Sequence, residues 1–185
     1  MKSQMSKRLC SGTTLAALAL GLVLALTTQP GSAQSMPFSA AKQLANGKSI
    51  VGTWRVTVQL YDCATEALTG PTFASLLTFN EGGTMTGSTT NPGFAVGQRG
   101  PDAGVWEQKG RHSYRAKSIA LLNYTTPPAP PFNPGFLAGA QTLTQKIRFD
   151  NPDKFTSDAT TEFFDVNGNS YRNGCAWATA ERFVD

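Results

Sequence analysis

His112 is the only histidine in the 185-residue chain, and it stands in the short polar run Lys109-Gly110-Arg111-His112. Catalysis of the Ser-His or Cys-His kind needs the imidazole held beside its nucleophile, and an exposed turn histidine does not offer that. A His/Cys metal site needs three or four ligands, and beyond Cys10 near the start only Cys63 and Cys175 remain. No metal, cofactor or catalytic residue is therefore assigned. Asp165-Val166-Asn167-Gly168-Asn169 has the look of a calcium loop. Its glycine comes one place early, however, and no glutamate closes it, so an Asn-Gly turn is expected. Asp158, Thr160 and Glu162 share the solvent face of one strand, whereas a carboxylate-pair hydrolase needs both acids in one cleft. Arg99, Asp102 and Arg172 are placed in loops, where they could orient a polar head group or simply be solvated.

The aromatics offer more. Asn91-Pro92-Gly93-Phe94 and Asn133-Pro134-Gly135-Phe136 are the same tetrapeptide. Pro then Gly suits the two central positions of a type II turn, in which glycine supplies positive φ. Each turn then delivers a phenylalanine on its far side. With Tyr124, Phe132 and Tyr171, Phe94 and Phe136 make a candidate aromatic rim for a ligand, since apolar-lined mouths are common small-molecule sites. The bland reading is turn chemistry with loop-packing aromatics. Pro127-Pro128-Ala129-Pro130-Pro131 between them reads as stiff polyproline II structure.

The framework behind these residues is β. Ser39 to Gly47 reads as one or two helical turns, with Ser39 as cap and Gly47 as stop. After it the period changes to two, with β-branched and aromatic residues between Gly- and Pro-rich breaks. Eight strands are predicted: Ile50–Tyr61, Thr72–Phe79, Thr84–Thr89, Gly104–Gln108, Ser113–Tyr124, Leu137–Phe149, Phe155–Phe164 and Cys175–Phe183. In the first, Trp54, Val56, Val58 and Leu60 share one face. In the sixth, Gln141 and Gln145 join Leu143, Ile147 and Phe149, so the interior is expected to be partly polar. No long helical period exists to carry parallel crossovers, so sequential antiparallel pairing follows.

Three connections are tight, at 80–83, 109–112 and 150–154, and four are long, at 62–71, 90–103, 125–136 and 165–174. In an up-and-down meander the tight turns fall at one end and the long loops at the other, as in a cup with a floor and a mouth. Cys63 lies just past strand one and Cys175 opens strand eight. If those strands meet, both cysteines lie together at the mouth, within the roughly 7 Å that a disulfide requires. An even count in an oxidising compartment favours pairing; two unpaired thiols are the other possibility. Eight strands suit a small closed barrel, filled or holding one ligand.

The N-terminus reads as a secretory signal: Lys2, Lys7 and Arg8, an apolar run from Leu15 to Leu26, then Gly31-Ser32-Ala33. That run is short of the roughly 20 residues that a membrane span needs, so stable membrane insertion is not expected. The expected organisation is a signal over 1–33, an arm with a short helix over 34–48, and the barrel over 49–185. The chain has 16 basic and 12 acidic residues. Three of the basic ones and none of the acids fall in 1–33, leaving 13 against 12 in the remainder. Without a concentrated basic run, nucleic acid is not an expected partner.

Gly52-Thr53-Trp54 at the start of strand one, with a short helical segment before it and Arg182 near the end, resembles the calycin superfamily and the lipocalins in particular. The resemblance implies that Trp54 sits at the closed end of a barrel with Arg182 packed over it. Setting Cys63 opposite Cys175 puts Trp54 opposite Val184 and Val56 opposite Arg182, with Arg182 in diagonal reach of Trp54.

The expectation is an all-β protein, an eight-stranded antiparallel up-and-down, lipocalin-like barrel, monomeric and secreted or periplasmic. It would bind a small apolar or amphipathic molecule at its loop-rich end. Two other classes fit the same sequence. One is a secreted protein-binding module such as a peptidase inhibitor. The other is a barrel enzyme acting on an unsaturated lipid, which would need a polar group deep inside, such as Gln141 or Gln145.

Overall fold

A computed structural model describes residues 49–128 and 135–184. Eight strands, β1 (Gly52–Tyr61), β2 (Leu68–Phe79), β3 (Thr84–Thr89), β4 (Arg99–Gly110), β5 (Ser113–Leu122), β6 (Gly139–Asn151), β7 (Lys154–Asp165) and β8 (Ser170–Arg182), form a closed antiparallel barrel in chain order. The proposed helix over 39–47, the signal over 1–33 and the rest of the arm lie outside the described residues. Among the described residues no helix is long and apolar enough to cross a membrane.

Side-chain alternation explains the closure. Along β5, Tyr114, Ala116, Ser118, Ala120 and Leu122 are buried while the residues between them are exposed, the period-two pattern of a strand with one face in a core. The closed end is packed with aromatics. Trp54 meets Phe155 at 4.7 Å and Phe149 at 5.5 Å between ring centres, and Trp106 meets Tyr114 at 5.8 Å and Phe79 at 6.3 Å. Each such ring, fully buried, contributes roughly 1.5–3 kcal/mol. Between its two ends β8 turns the small residues Ala176, Ala178 and Ala180 inward, which leaves room above the floor.

Arg182 closes the floor. Its guanidinium carbon lies 4.3 Å from the Trp54 ring centre, and it donates to the carbonyls of Val51, Ser49 and Pro152 and to Asp153 Oδ1. Trp54 Nε1 donates to the Ile50 carbonyl at 2.8 Å. Gly52 has φ of +128°, and a Cβ there would stand 2.9 Å from Arg182 Nη1. Glycine is thus required twice over, by backbone and by space.

The register differs from the expected one by two residues. Trp54 faces Arg182 directly, and Cys175 faces Tyr61, because Cys63 sits in the turn beyond the β1–β8 ladder. The disulfide forms from there, with Cα atoms 5.2 Å apart. Three strands also begin four or five residues earlier than expected. β2 begins at Leu68 because the pairing shift between Val58 and Leu60 absorbs Gly70 and Pro71, residues that a regular ladder excludes. Gln59 fills the break, its Nε2 donating to the carbonyls of Leu60, Thr69 and Gly70. β8 begins at Ser170, which turns the expected long loop into the tight turn 166–169. β4 begins at Arg99. Long connections at the mouth are therefore 90–98 and 123–138, the two that carry the repeated tetrapeptide.

Candidate functional site

The two long loops fold against each other over one side of the open end. Gln98, fully buried, joins them. Its Oε1 accepts from the Ala95 amide at 3.1 Å, and its Nε2 donates to Tyr124 O at 3.1 Å and Thr126 Oγ1 at 2.9 Å. The Asn123 side chain donates to Gly97 O, and the Tyr124 hydroxyl donates to Val96 O. The repeated tetrapeptides thereby bring their phenylalanines together: Phe94 and Phe136 stack with ring centres 4.5 Å apart. Phe136 continues to Phe163 at 5.0 Å, and Phe163 to Tyr171 at 6.2 Å. Two arginines flank the stack, Arg99 at 5.7 Å from the Phe94 ring centre and Arg172 at 4.7 Å from that of Phe136, a favourable placement over an aromatic face.

The glycines of the two copies differ: Gly135 has φ of +72°, whereas Gly93 is not among the positive-φ glycines. At the first copy the Asn91 side chain accepts from the Gly93 amide at 2.8 Å, and the Phe94 amide reaches Asn91 O at 3.2 Å. This Asx turn removes the need for a left-handed residue.

Beside the stack opens a cavity of about 920 Å³. Leu60, Phe73, Phe136 and Phe163 give it apolar walls, and Gln141, Thr161, Asn173 and Arg172 give it polar ones. The Cys63–Cys175 bridge lies on its edge. Two aspartates order the turns there. Asp62 Oδ1 accepts from the amides of Ala64 and Thr65 and from the Thr65 hydroxyl. Those bonds, the Thr65 amide foremost, hold its carboxyl below the usual range. Asp165 Oδ1 accepts from the amides of Asn167 and Asn169, and Oδ2 from the Asn169 side chain. The Asn169 side chain does most to lower that acid. The stretch is an Asn-Gly turn with Gly168 at φ +81°, and no metal-binding group of acids, His or Cys occurs among the described residues.

Arg99 and Asp102, expected in a loop, belong to β4. A one-residue bulge between them against β5 puts two residues three apart on the same face, which a regular strand would not. Arg99 Nη2 donates to Asp102 Oδ1 at 2.7 Å, both side chains being less than a tenth exposed. Arg99 Nε donates to Gln141 Oε1 at 2.6 Å, and Ser118 Oγ is 3.2 Å from Asp102 Oδ1. Arg172 belongs to β8 rather than to a loop. Gln141 and Gln145 both point inward and are buried. Amides orient a substrate but do not take up or release protons at ordinary pH.

Of the five proposed rim residues, Phe94, Phe136 and Tyr171 come together with Leu122 and Phe163, and Phe136 itself lines the cavity. Tyr124 is well exposed and serves the loop junction. Phe132 lies outside the described residues. His112 is exposed at the closed end, far in the fold from the mouth. The sequence reading did not single out Gln98, Phe73 or Phe163. The period-two pattern of β7 could have found Phe163, which lies on the same face as Phe155.

No family model and no curated protein matches the chain. Among solved structures it is similar to a redesigned β-barrel, at 17% identity over 75% of this chain and 96% of that one, with a TM-score of 0.44. It is similar also to EF1p2_mFAP2b bound to DFHBI, at 20% identity over 79% and 99%, TM-score 0.44. A third is the S-type phycobiliprotein lyase CPES from Guillardia theta, at 10% identity over 79% and 93%, TM-score 0.36. Likenesses this distant carry no argument about function.

Proposed function

We propose that the protein is an exported barrel of calycin type that holds a small apolar or amphipathic molecule at its open end. The observation that carries this reading is the cavity of about 920 Å³ at the mouth, above a floor sealed by Trp54, Phe155 and Arg182. That volume lies in the range of small-molecule sites, which are mostly apolar with a few placed polar groups. In this reading Phe94, Phe136 and Tyr171 form the rim, to which the sequence adds Tyr124 and Phe132, and binding works by shape and desolvation. Residues 1–33 are the cleaved signal, 34–48 an arm, and 49–185 a monomeric barrel in a secreted or periplasmic setting, where the disulfide persists.

Titration of the refolded mature protein with the neutral fluorescent dye Nile red tests it. A saturable signal at one equivalent, weakened at least several-fold by Phe163→Trp, which fills the cavity wall, is expected. A linear, unsaturable response from protein with native far-UV dichroism sinks the reading. Capture of a stoichiometric protein partner in place of small-molecule binding would favour the inhibitor-like class.

A further inference from the structure

Between the aromatic floor and the mouth cavity runs a band of buried inward-facing polar side chains: Asp102 on β4, Ser118 on β5, Gln145 on β6 and Ser157 on β7. The inward residues around them are small, Ala116, Ala120, Ala159, Ala176 and Ala178. Buried polar atoms are ordinarily hydrogen-bonded, and here the buried acceptor Gln145 Oε1 is not. Both hydrogen bonds to the Asp102 carboxylate fall on Oδ1, which leaves Oδ2 open to a further donor. An apolar pair of similar volume is often as stabilising as a buried ion pair, so packing alone does not call for Arg99 and Asp102 here. Gln141 connects the band to the mouth, since it lines the cavity and accepts from Arg99 Nε.

We propose that this band is the inner end of the binding site, and that it receives a neutral hydrogen-bond-donating group, a hydroxyl or N–H, at the tip of an otherwise apolar ligand. The assignment rests on the mouth cavity being the ligand site. Asp102 Oδ2 accepts the ligand's hydrogen bond, and the Gln145 amide, turned either way, donates or accepts beside it. A neutral tip is selected because Arg99 already balances Asp102. A ligand carboxylate would face Oδ2, and a ligand ammonium would leave surplus positive charge, each costly away from water.

Competition for bound Nile red by 1-decanol and by its isomer 1-methoxynonane separates the possibilities, because the two have the same atoms and differ in whether the oxygen carries a hydrogen to donate. The alcohol is expected to displace the dye at a concentration about tenfold lower, the value of one well-made bond to a charged acceptor. Gln145→Met and Asp102→Asn are each expected to shrink that preference to about threefold or less. Equal displacement by the two compounds overturns the proposal. So does a preference that survives Gln145→Met, for then ordered water satisfies the band. Should Asp102→Asn fail to fold with Arg99 unpaired, Gln145→Met decides alone, since it removes an amide oxygen that is not hydrogen-bonded. Failure of wild-type protein to bind Nile red at all is a different result, and it removes the mouth reading together with this one.

Discussion

Arg182 shows how much one side chain can organise. Its planar guanidinium reaches three backbone carbonyls and Asp153 while lying on Trp54, a set of contacts a lysine ammonium cannot reproduce. Arg182→Lys is therefore expected to cost about 2 kcal/mol, and Arg182→Ala about 3, from lost charge-assisted bonds and the ring contact. Urea denaturation followed by Trp fluorescence measures both, and equal stability of the lysine variant would contradict the account. Gly52 belongs to the same device. With positive φ and the guanidinium where a Cβ would be, Gly52→Ala is expected to cost about 1–3 kcal/mol. Much of this was readable: Gly52, Trp54 and Arg182 stand out in the chain. The direct opposition of Trp54 and Arg182 was not, because the ladder was anchored on Cys63, a residue that lies beyond it.

Strand number, direction and the division into a tight-turn end and a loop end follow from the alternation of residues such as Trp54, Val56 and Val58. What the pattern concealed was where strands resume. Leu68-Thr69-Gly70-Pro71 reads as a loop until Gln59 is seen to cap its carbonyls, and Arg99 and Asp102 read as loop charges until a bulge turns both inward. Their burial depends on partners distant in sequence, such as Gln141, which no local period encodes. The mouth turns carry their own prediction. Asp62 and Asp165 both have pKa values held below the ordinary carboxyl range by the hydrogen bonds they accept. A depressed pKa means a contribution present above the unfolded value and lost as pH falls through the folded one. The turns at 62–67 and 166–169 should thus hold at neutral pH and loosen below about pH 4, the ordinary Asp range. Amide protection at Thr65 and Asn169, corrected for intrinsic exchange, should fall there while that of the floor strands persists. Gln98→Leu should act on the other side of the mouth. It leaves the carbonyl of Tyr124 without its donor, at about 1–3 kcal/mol, and speeds exchange in 90–98 and 123–128 above all.

A barrel avoids the exposed strand edge that open sheets must protect, and here the avoidance depends on one seam. β1 and β8 pair continuously from Trp54↔Arg182 to Tyr61↔Cys175. The Arg182 cluster fastens the seam at the floor and the disulfide fastens it at the mouth. The bridge encloses a sequence separation of 112 residues, so constraint of the unfolded chain alone allows about 4–5 kcal/mol. It is not the only fastening, however, because the ladder itself and the aromatic floor at its other end also hold β1 against β8. The double variant Cys63→Ala, Cys175→Ala is accordingly expected to keep its far-UV β spectrum and the sedimentation behaviour of the wild type at low temperature, while losing about 2–5 kcal/mol on denaturation. Its mouth should change first: dye affinity should weaken before the floor tryptophan reports unfolding. If the variant instead associates through β1 and β8 edges, visible as dimers in sedimentation, the disulfide rather than the floor closes the barrel, and the interior would be governed by redox state.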